Sequence, residues 1–126
     1  MAVLGHGIDA VEVARIGAML EDHPERFAER VFTADERAYA DAGKRRVEHY
    51  AARFAAKEAI LKCLGTGWSQ GVAWTDAEVT RDPSGKPGVR LHGVAARIAE
   101  EMGITRWSIS LTHTGALAFA SVIAEG

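Results

Sequence analysis

Glu58 and Lys62 stand four residues apart in RFAAKEAILKCLGTG, Arg53 to Gly67, a stretch otherwise made mostly of alanine and bulky apolar residues that closes on two glycines around a threonine. On a helical wheel at about 100° per residue, Phe54 and Leu61 fall nearly in line, and Ile60 and Leu64 widen that stripe on one side. Glu58 lies about 40° from Phe54 on the other side and Lys62 about 40° beyond it, so both project from the rim of the face that must be buried. Two chemistries are open to such a pair. A glutamate four residues before a lysine is the favoured order for an exposed ion pair, contributing about 0.2–0.5 kcal/mol. The same residues also suit a phosphate ligand carrying a metal: a carboxylate for a hard cation, a lysine for a phosphate oxygen, and a turn at Gly65-Thr66-Gly67 whose amides can approach phosphate. Lys44-Arg45-Arg46, the only dense basic cluster, precedes this stretch, with Arg53 two turns further on. Ala51, Ala55 and Ala59 leave room for something bulky against the helix. The stretch is not a P-loop, since GxxxxGK[ST] does not occur. A second carboxylate is needed, and Asp9 in GHGIDAVEV is the candidate; its other reading is an ordinary aspartate at a turn or strand end.

These side chains need elements to hold them. Val3 to Val13 reads as a strand with close backbone approach near Asp9, because Gly5 and Gly7 interrupt its apolar positions. A helix through Ile16 and Leu20 follows, and Pro24 opens a second over PERFAERVF. Thr33 stands three residues before Glu36, the capping box that starts a third helix running toward Gly43. The longest helix runs from about Val47 to Leu64 and ends at Gly65, where a left-handed residue is usual. VAWTDAEVTRD and GVRLHG flank PSGKP and read as two strands joined by a turn. GVAARIAEEMG is a helix, and RWSISLTHTGALAFASVIA two strands folded back at Thr114-Gly115. Helices and strands interleave without strict alternation, which predicts an α+β fold.

With 126 residues, 48% of them hydrophobic, the chain is expected to form a single domain, 1–126, with limited room for an enclosed pocket, so a sizeable ligand belongs in a cleft or between subunits. A formal net charge of −2 argues against a general nucleic-acid binder. One cysteine, Cys63, cannot form an internal disulfide or a multi-cysteine metal site; a reducing cytoplasm fits, and Cys63 reads as a small buried residue. No signal peptide and no apolar run of bilayer length are expected.

GIDAVEVARI (Gly7 to Ile16), RFAERVFTADE (Arg26 to Glu36), RFAAKEAILKCLGTG and SLTHTGALAFASVI (Ser110 to Ile123), with GKP at Gly85 to Pro87, together closely resemble the holo-[acyl-carrier-protein] synthases, the short bacterial 4'-phosphopantetheinyl transferases. The resemblance runs from about Leu4 to Glu125. It implies transfer of phosphopantetheine from coenzyme A to a serine hydroxyl of an apo-acyl carrier protein, leaving adenosine 3',5'-bisphosphate. It also implies a magnesium ion held at Asp9 and Glu58, with Lys62 beside the phosphates and Glu58 as first candidate for general base. Lys44, Arg45 and Arg53 match positions that hold the ribose 3'-phosphate; Gly65, Thr66 and Gly67 match a turn near the nucleotide, Pro87 a loop near adenine, and His113 a position near the nucleotide phosphate. The short class assembles as homotrimers with sites between subunits. Family members dock acidic carrier proteins through arginines on the first helix; here Arg15 fits, but Glu21, Asp22 and Glu25 make that face less basic than usual. Two readings from other classes are a non-catalytic coenzyme A or nucleotide-binding module, which does not need two metal carboxylates, and a trimeric interaction module, which leaves Lys62 and the basic cluster unexplained.

Overall fold

The computed structural model describes residues 1–126, and the elements follow the expected order. They are β1 (Val3–Glu12), α1 (Val13–Asp22), α2 (Pro24–Val31), α3 (Ala34–Ala42), α4 (Arg46–Leu64), β2 (Ala77–Arg81), β3 (Pro87–Leu91), α5 (Gly93–Glu101), β4 (Arg106–His113) and β5 (Leu117–Glu125). Strands β1, β5 and β4 form one antiparallel sheet in that order, and β2 and β3 pair separately. The fold is therefore α+β, two small antiparallel sheets around a long helix.

Helix α4 is the centre of the molecule. Its alanines favour the helix intrinsically and let neighbours approach its backbone. It lies chiefly against β1 and β5, with α1, α3 and β2 on its other sides. Thirteen of its 19 residues are buried, which is why no clean polar face survives along its middle. The alternation of β5 supplies the facing layer: Ala118, Ala120, Val122 and Ala124 point inward and are buried. Ala51, Ala55 and Ala59 meet this layer and are fully buried. The small residues thus seat the sheet backbone, not a bulky ligand as the sequence suggested.

One difference from the expected elements lies ahead of β2. The strand begins only at Ala77, because Trp74–Asp76 forms a 3-10 turn. Asp76 fixes that turn by accepting the Ala73 amide at 3.2 Å, and the Asp76 carbonyl accepts the His92 amide at 2.8 Å.

The capping box at Thr33 is present and does more than start α3. Glu36 accepts the Thr33 amide at 2.8 Å and the Val79 amide at 2.9 Å, and it pairs with Lys57 Nζ at 2.7 Å with both side chains fully buried. Lys57 Nζ also donates to the carbonyls of Ala77, at 2.7 Å, and Trp74, at 3.2 Å. Burial pushes the Lys57 pKa down while Glu36 opposes it, and the three acceptors satisfy all three protons of the ammonium. Thr33 Oγ1 accepts the Glu36 amide at 3.2 Å and donates to Glu78 Oε2 at 2.7 Å, tying α3 to β2. Thr33→Ala removes both bonds and is expected to lower stability by about 2 kcal/mol, read as a drop in urea midpoint at unchanged slope.

Candidate active site

The inward row of β1 is Gly5, Gly7, Asp9 and Val11, set by the period-two alternation of a strand. Both glycines lie against the backbone of α4. An ideal Cβ on Gly7 falls 1.9 Å from the Ala59 carbonyl oxygen, and one on Gly5 falls 2.6 Å from that of Cys63. Two strand residues rise about 6.6 Å and four helical residues about 6.0 Å, so one contact sets up the next. Asp9 continues the row and so faces the same helix.

Side chains on a helix lean toward its N-terminus, and Lys62 accordingly reaches back to Ile8 and Asp9. Its ammonium donates to the Ile8 carbonyl at 2.7 Å and to Asp9 Oδ1 at 3.2 Å. Burial and the Asp9 carboxylate, in that order, push the Glu58 carboxyl pKa up, against pulls from Trp68, Lys62 and Arg15. The buried indole N–H of Trp68 stops short of hydrogen-bonding geometry with any acceptor. Two oxygen-donor carboxylates that repel each other beside a phosphate-competent lysine fit a hard divalent cation. No group of three or more histidine, cysteine, aspartate or glutamate side chains gathers anywhere. Such a cation would therefore keep most of its coordination for substrate oxygens and water, which is the habit of magnesium.

Just beyond Lys62, Gly65 caps α4 at φ 74° and Gly67 follows at φ 56°, both conformations that favour glycine. Nothing lies within 4 Å of a Cβ placed on either one, so the turn opens onto free space beside Glu58 and Lys62. The hydroxyl of Thr66 donates to the Gly67 carbonyl at 3.0 Å.

A second cluster forms at the other end of the helix. Lys44 is exposed, and Arg45 stands 3.9 Å from Glu48. His113, at the end of β4, brings Nδ1 within 2.7 Å of the same carboxylate, although its ring is turned off the hydrogen-bond axis. The third member of the basic run is committed elsewhere: Arg46 pairs with Asp41 at 2.7 Å, and Tyr50 donates to the same oxygen at 2.9 Å. Ten residues of helix, about 15 Å, separate Glu48 from Glu58. The two clusters are thus spaced for an extended ligand.

Two of the sequence candidates lie apart. Arg53 sits 180° around the helix from Lys62 and is 1% exposed, turned toward α3 and β2. Pro87 opens β3 and, with Lys86, lines a groove of about 390 Å³ against Arg106, Ser108 and Ser110 of β4. Sequence reasoning did not single out Trp68 beside Glu58 or the buried cation Lys57 next to it in the chain. For Lys57 the signal was present, since it lies about 60° from Phe54 inside the apolar stripe.

Asp9, Glu58, Lys62 and the glycine turn thus gather toward one end of α4, and Lys44, Arg45 and His113 toward the other. Residues 5–118 match the model of the 4'-phosphopantetheinyl transferase superfamily, and the chain belongs to that family. It is 48% identical to the holo-[acyl-carrier-protein] synthase of Solibacter usitatus, over 98% of each chain. Among solved structures it is similar to the holo-[acyl-carrier-protein] synthase of Neisseria meningitidis, with TM-score 0.90 and 32% identity over 99% of this chain and 100% of that one. It is also similar to the Helicobacter pylori enzyme solved in complex with coenzyme A, with TM-score 0.84 and 26% identity over 95% and 99% of the two chains.

Proposed function

We propose that the chain is a phosphopantetheinyl transferase that moves 4'-phosphopantetheine from coenzyme A to a serine hydroxyl of an apo-acyl carrier protein, releasing adenosine 3',5'-bisphosphate. The observation that carries this reading is the convergence of Asp9, Glu58 and Lys62, 49 to 53 residues apart in the chain on either side of a strand–helix contact. Asp9 and Glu58 would hold a magnesium ion, whose chemistry is to neutralise charge on the diphosphate. Lys62 is the point charge that stabilises negative charge developing on the leaving phosphate. The nucleophile belongs to the carrier protein, so no serine of this chain is needed for attack. Glu58 is the first candidate for the group that takes the serine proton. Gly65, Thr66 and Gly67 offer open backbone near the phosphates, while Lys44, Arg45 and His113 receive the nucleotide end, and Arg53, off this exposed cluster, adjoins it through the rings of Tyr39, His49 and His113. Pro87, remote from these residues within one chain, belongs to the adenine wall contributed by a neighbour.

The decisive assay incubates the protein with coenzyme A, magnesium and an apo-carrier protein, and follows the carrier by mass spectrometry. The expected result is gain of one phosphopantetheine arm, abolished by chelator. Unchanged carrier mass with folded partners in magnesium would remove the reading.

Residues 1–126 act as one catalytic unit, assembled as a homotrimer in the cytoplasm. Supporting assembly, the sheet leaves its outer face uncovered within the chain, with Ile8 60% exposed beside Phe119 and Ile123. A free, buried Cys63 is compatible with a reducing compartment. The carrier protein docks on the groove between α1 and α2, where Arg15 and Arg30 flank Met19, Phe27 and Val31, and Arg26 stands nearby. These additional arginines offset the acidic residues that made the first helix look poorly basic. An encounter of this kind is electrostatic, so the Michaelis constant for the carrier protein is expected to rise with ionic strength while that for coenzyme A rises less. A carrier-protein constant that stays flat between low and physiological salt would rule out charge-led docking.

A further inference from the structure

Trp68 follows the glycine turn that ends α4, in a segment with few bonds of its own. Its backbone is tied by the amides of Ser69 and Val72, which donate to the Thr66 and Ser69 carbonyls at 3.4 Å each. Gln70, at φ 63°, is the one non-glycine residue of the chain in the left-handed region, so local preference does not choose this path either. What holds the segment is a stack of rings. Trp68 lies on Trp74 with ring centroids 3.6 Å apart, Trp74 lies on Phe54 at 5.1 Å, and Phe54 meets Phe27 at 6.2 Å. Aromatic pairs at such distances stabilise beyond the area they bury.

The stack also decides where the indole N–H points. An indole nitrogen can only donate, and Trp68 Nε1 is buried and stops short of a bond to any acceptor. A buried donor without a partner is costly, which makes its direction informative. Glu58 stands one helical turn after Phe54, the helical member of the stack. Of the groups that favour its charged form, Trp68 acts as a hydrogen-bond donor, while Lys62 and Arg15 act as charges at a distance. Lys62 spends its own bonds on Ile8 and Asp9. A neutral donor suits a carboxylate that must also face a cation, because it orients the group without bringing a competing positive charge. Bonds of this kind often tighten only in the reacting complex.

We infer that Trp68 is a positioning residue for Glu58: its indole N–H, pinned by the stack on Trp74, holds one carboxylate oxygen so that the other faces Asp9. The role rests on the transferase reading; the contact itself does not.

The test uses Trp68→Phe, which keeps a ring on Trp74 and loses the N–H. Trp74 and Phe54 also line the groove beside Arg15 and Met19, so retaining the stack leaves that groove as it is. Transfer kinetics and thermal unfolding are measured on the wild type, Trp68→Phe, Glu58→Gln and the double variant. Trp68→Phe is expected to lower kcat by about tenfold, with the KM for both substrates and the melting temperature unchanged. In the Glu58→Gln background the same change should lower kcat no further, since a residue that acts through Glu58 has nothing left to orient. A purely structural role would multiply the two losses. A second readout needs no turnover: the Trp68 indole proton, assigned by NMR, is expected to move upfield in Glu58→Gln, because a charged acceptor holds a proton more strongly than a neutral one. Wild-type kcat in Trp68→Phe, losses that multiply in the double variant, or an indole proton that stays in place in Glu58→Gln would each overturn the inference. An inactive wild type counts against the transferase reading, and the indole proton then decides the contact by itself.

Discussion

Glu58→Gln lowers turnover by about 100- to 10,000-fold while the protein stays folded. Glutamine has the same shape, so packing beside Trp68 and the reach of Lys62 to Asp9 are retained. What is lost is one negative charge and one proton acceptor. These two losses separate in the binding data. If the carboxylate serves chiefly as the base, the variant keeps its magnesium-dependent affinity for coenzyme A and loses kcat. If it serves chiefly as a metal ligand, calorimetry shows the magnesium dependence of coenzyme A binding collapse as well. The pH profile gives a further check. Burial and Asp9 raise the Glu58 pKa, so its base form is lost on acidification at a higher pH than an ordinary glutamate would lose it. With a cation held between Asp9 and Glu58 both causes are opposed, so the acid limb of the wild-type rate should lie below the metal-free titration of Glu58, and the residual rate of Glu58→Gln should lack that limb. Normal binding together with full turnover in the variant would remove Glu58 from the chemistry.

The parts of this site that follow short-range rules were legible in the sequence. The capping box at Thr33, the left-handed Gly65 and the fold-back at Thr114-Gly115 are each set by a few neighbouring residues, and each stands where the pattern put it. Asp9 was marked as the second carboxylate beside Glu58, set among glycines that signal close backbone approach, although spacing could not decide between that role and an ordinary turn or strand-end aspartate. The buried charges were misjudged for a different reason. Arg53 and Lys57 fall about 100° and 60° from Phe54, inside the stripe defined by Ile60 and Leu64, so their burial was implied by the same wheel that placed Glu58 at the rim. Weight was given to residue type over position. The acceptors that make burial possible come from Glu36, Trp74 and Ala77, up to 21 residues away in sequence, and no local pattern announces them.

Gly7→Ala is expected to cost about 3 kcal/mol or more, a large effect for a single added methyl group. Gly7 has an extended backbone that alanine adopts without strain, so the cost is steric alone. The new carbon would stand 1.9 Å from the Ala59 carbonyl oxygen and 2.8 Å from the carbonyl carbon, both backbone atoms that no rotamer change can move. Either β1 or α4 must retreat, and α4 is held on its far side by Lys57 and its three acceptors. The strand therefore yields, and Asp9, two residues along the same face, moves away from Lys62 and Glu58. A displacement of about 1 Å at reacting groups costs on the order of 100-fold in rate, so activity should fall even in conditions where the variant remains folded. Gly115→Ala is the control: nothing lies within 4 Å of its Cβ position, and its backbone is not left-handed, so it should change neither stability nor rate appreciably. Urea unfolding and turnover measured on both variants separate packing from glycine loss in general. A Gly7→Ala protein as stable and as active as Gly115→Ala would mean that β1 is not seated on α4 through this contact, and that Asp9 reaches the site by some other support.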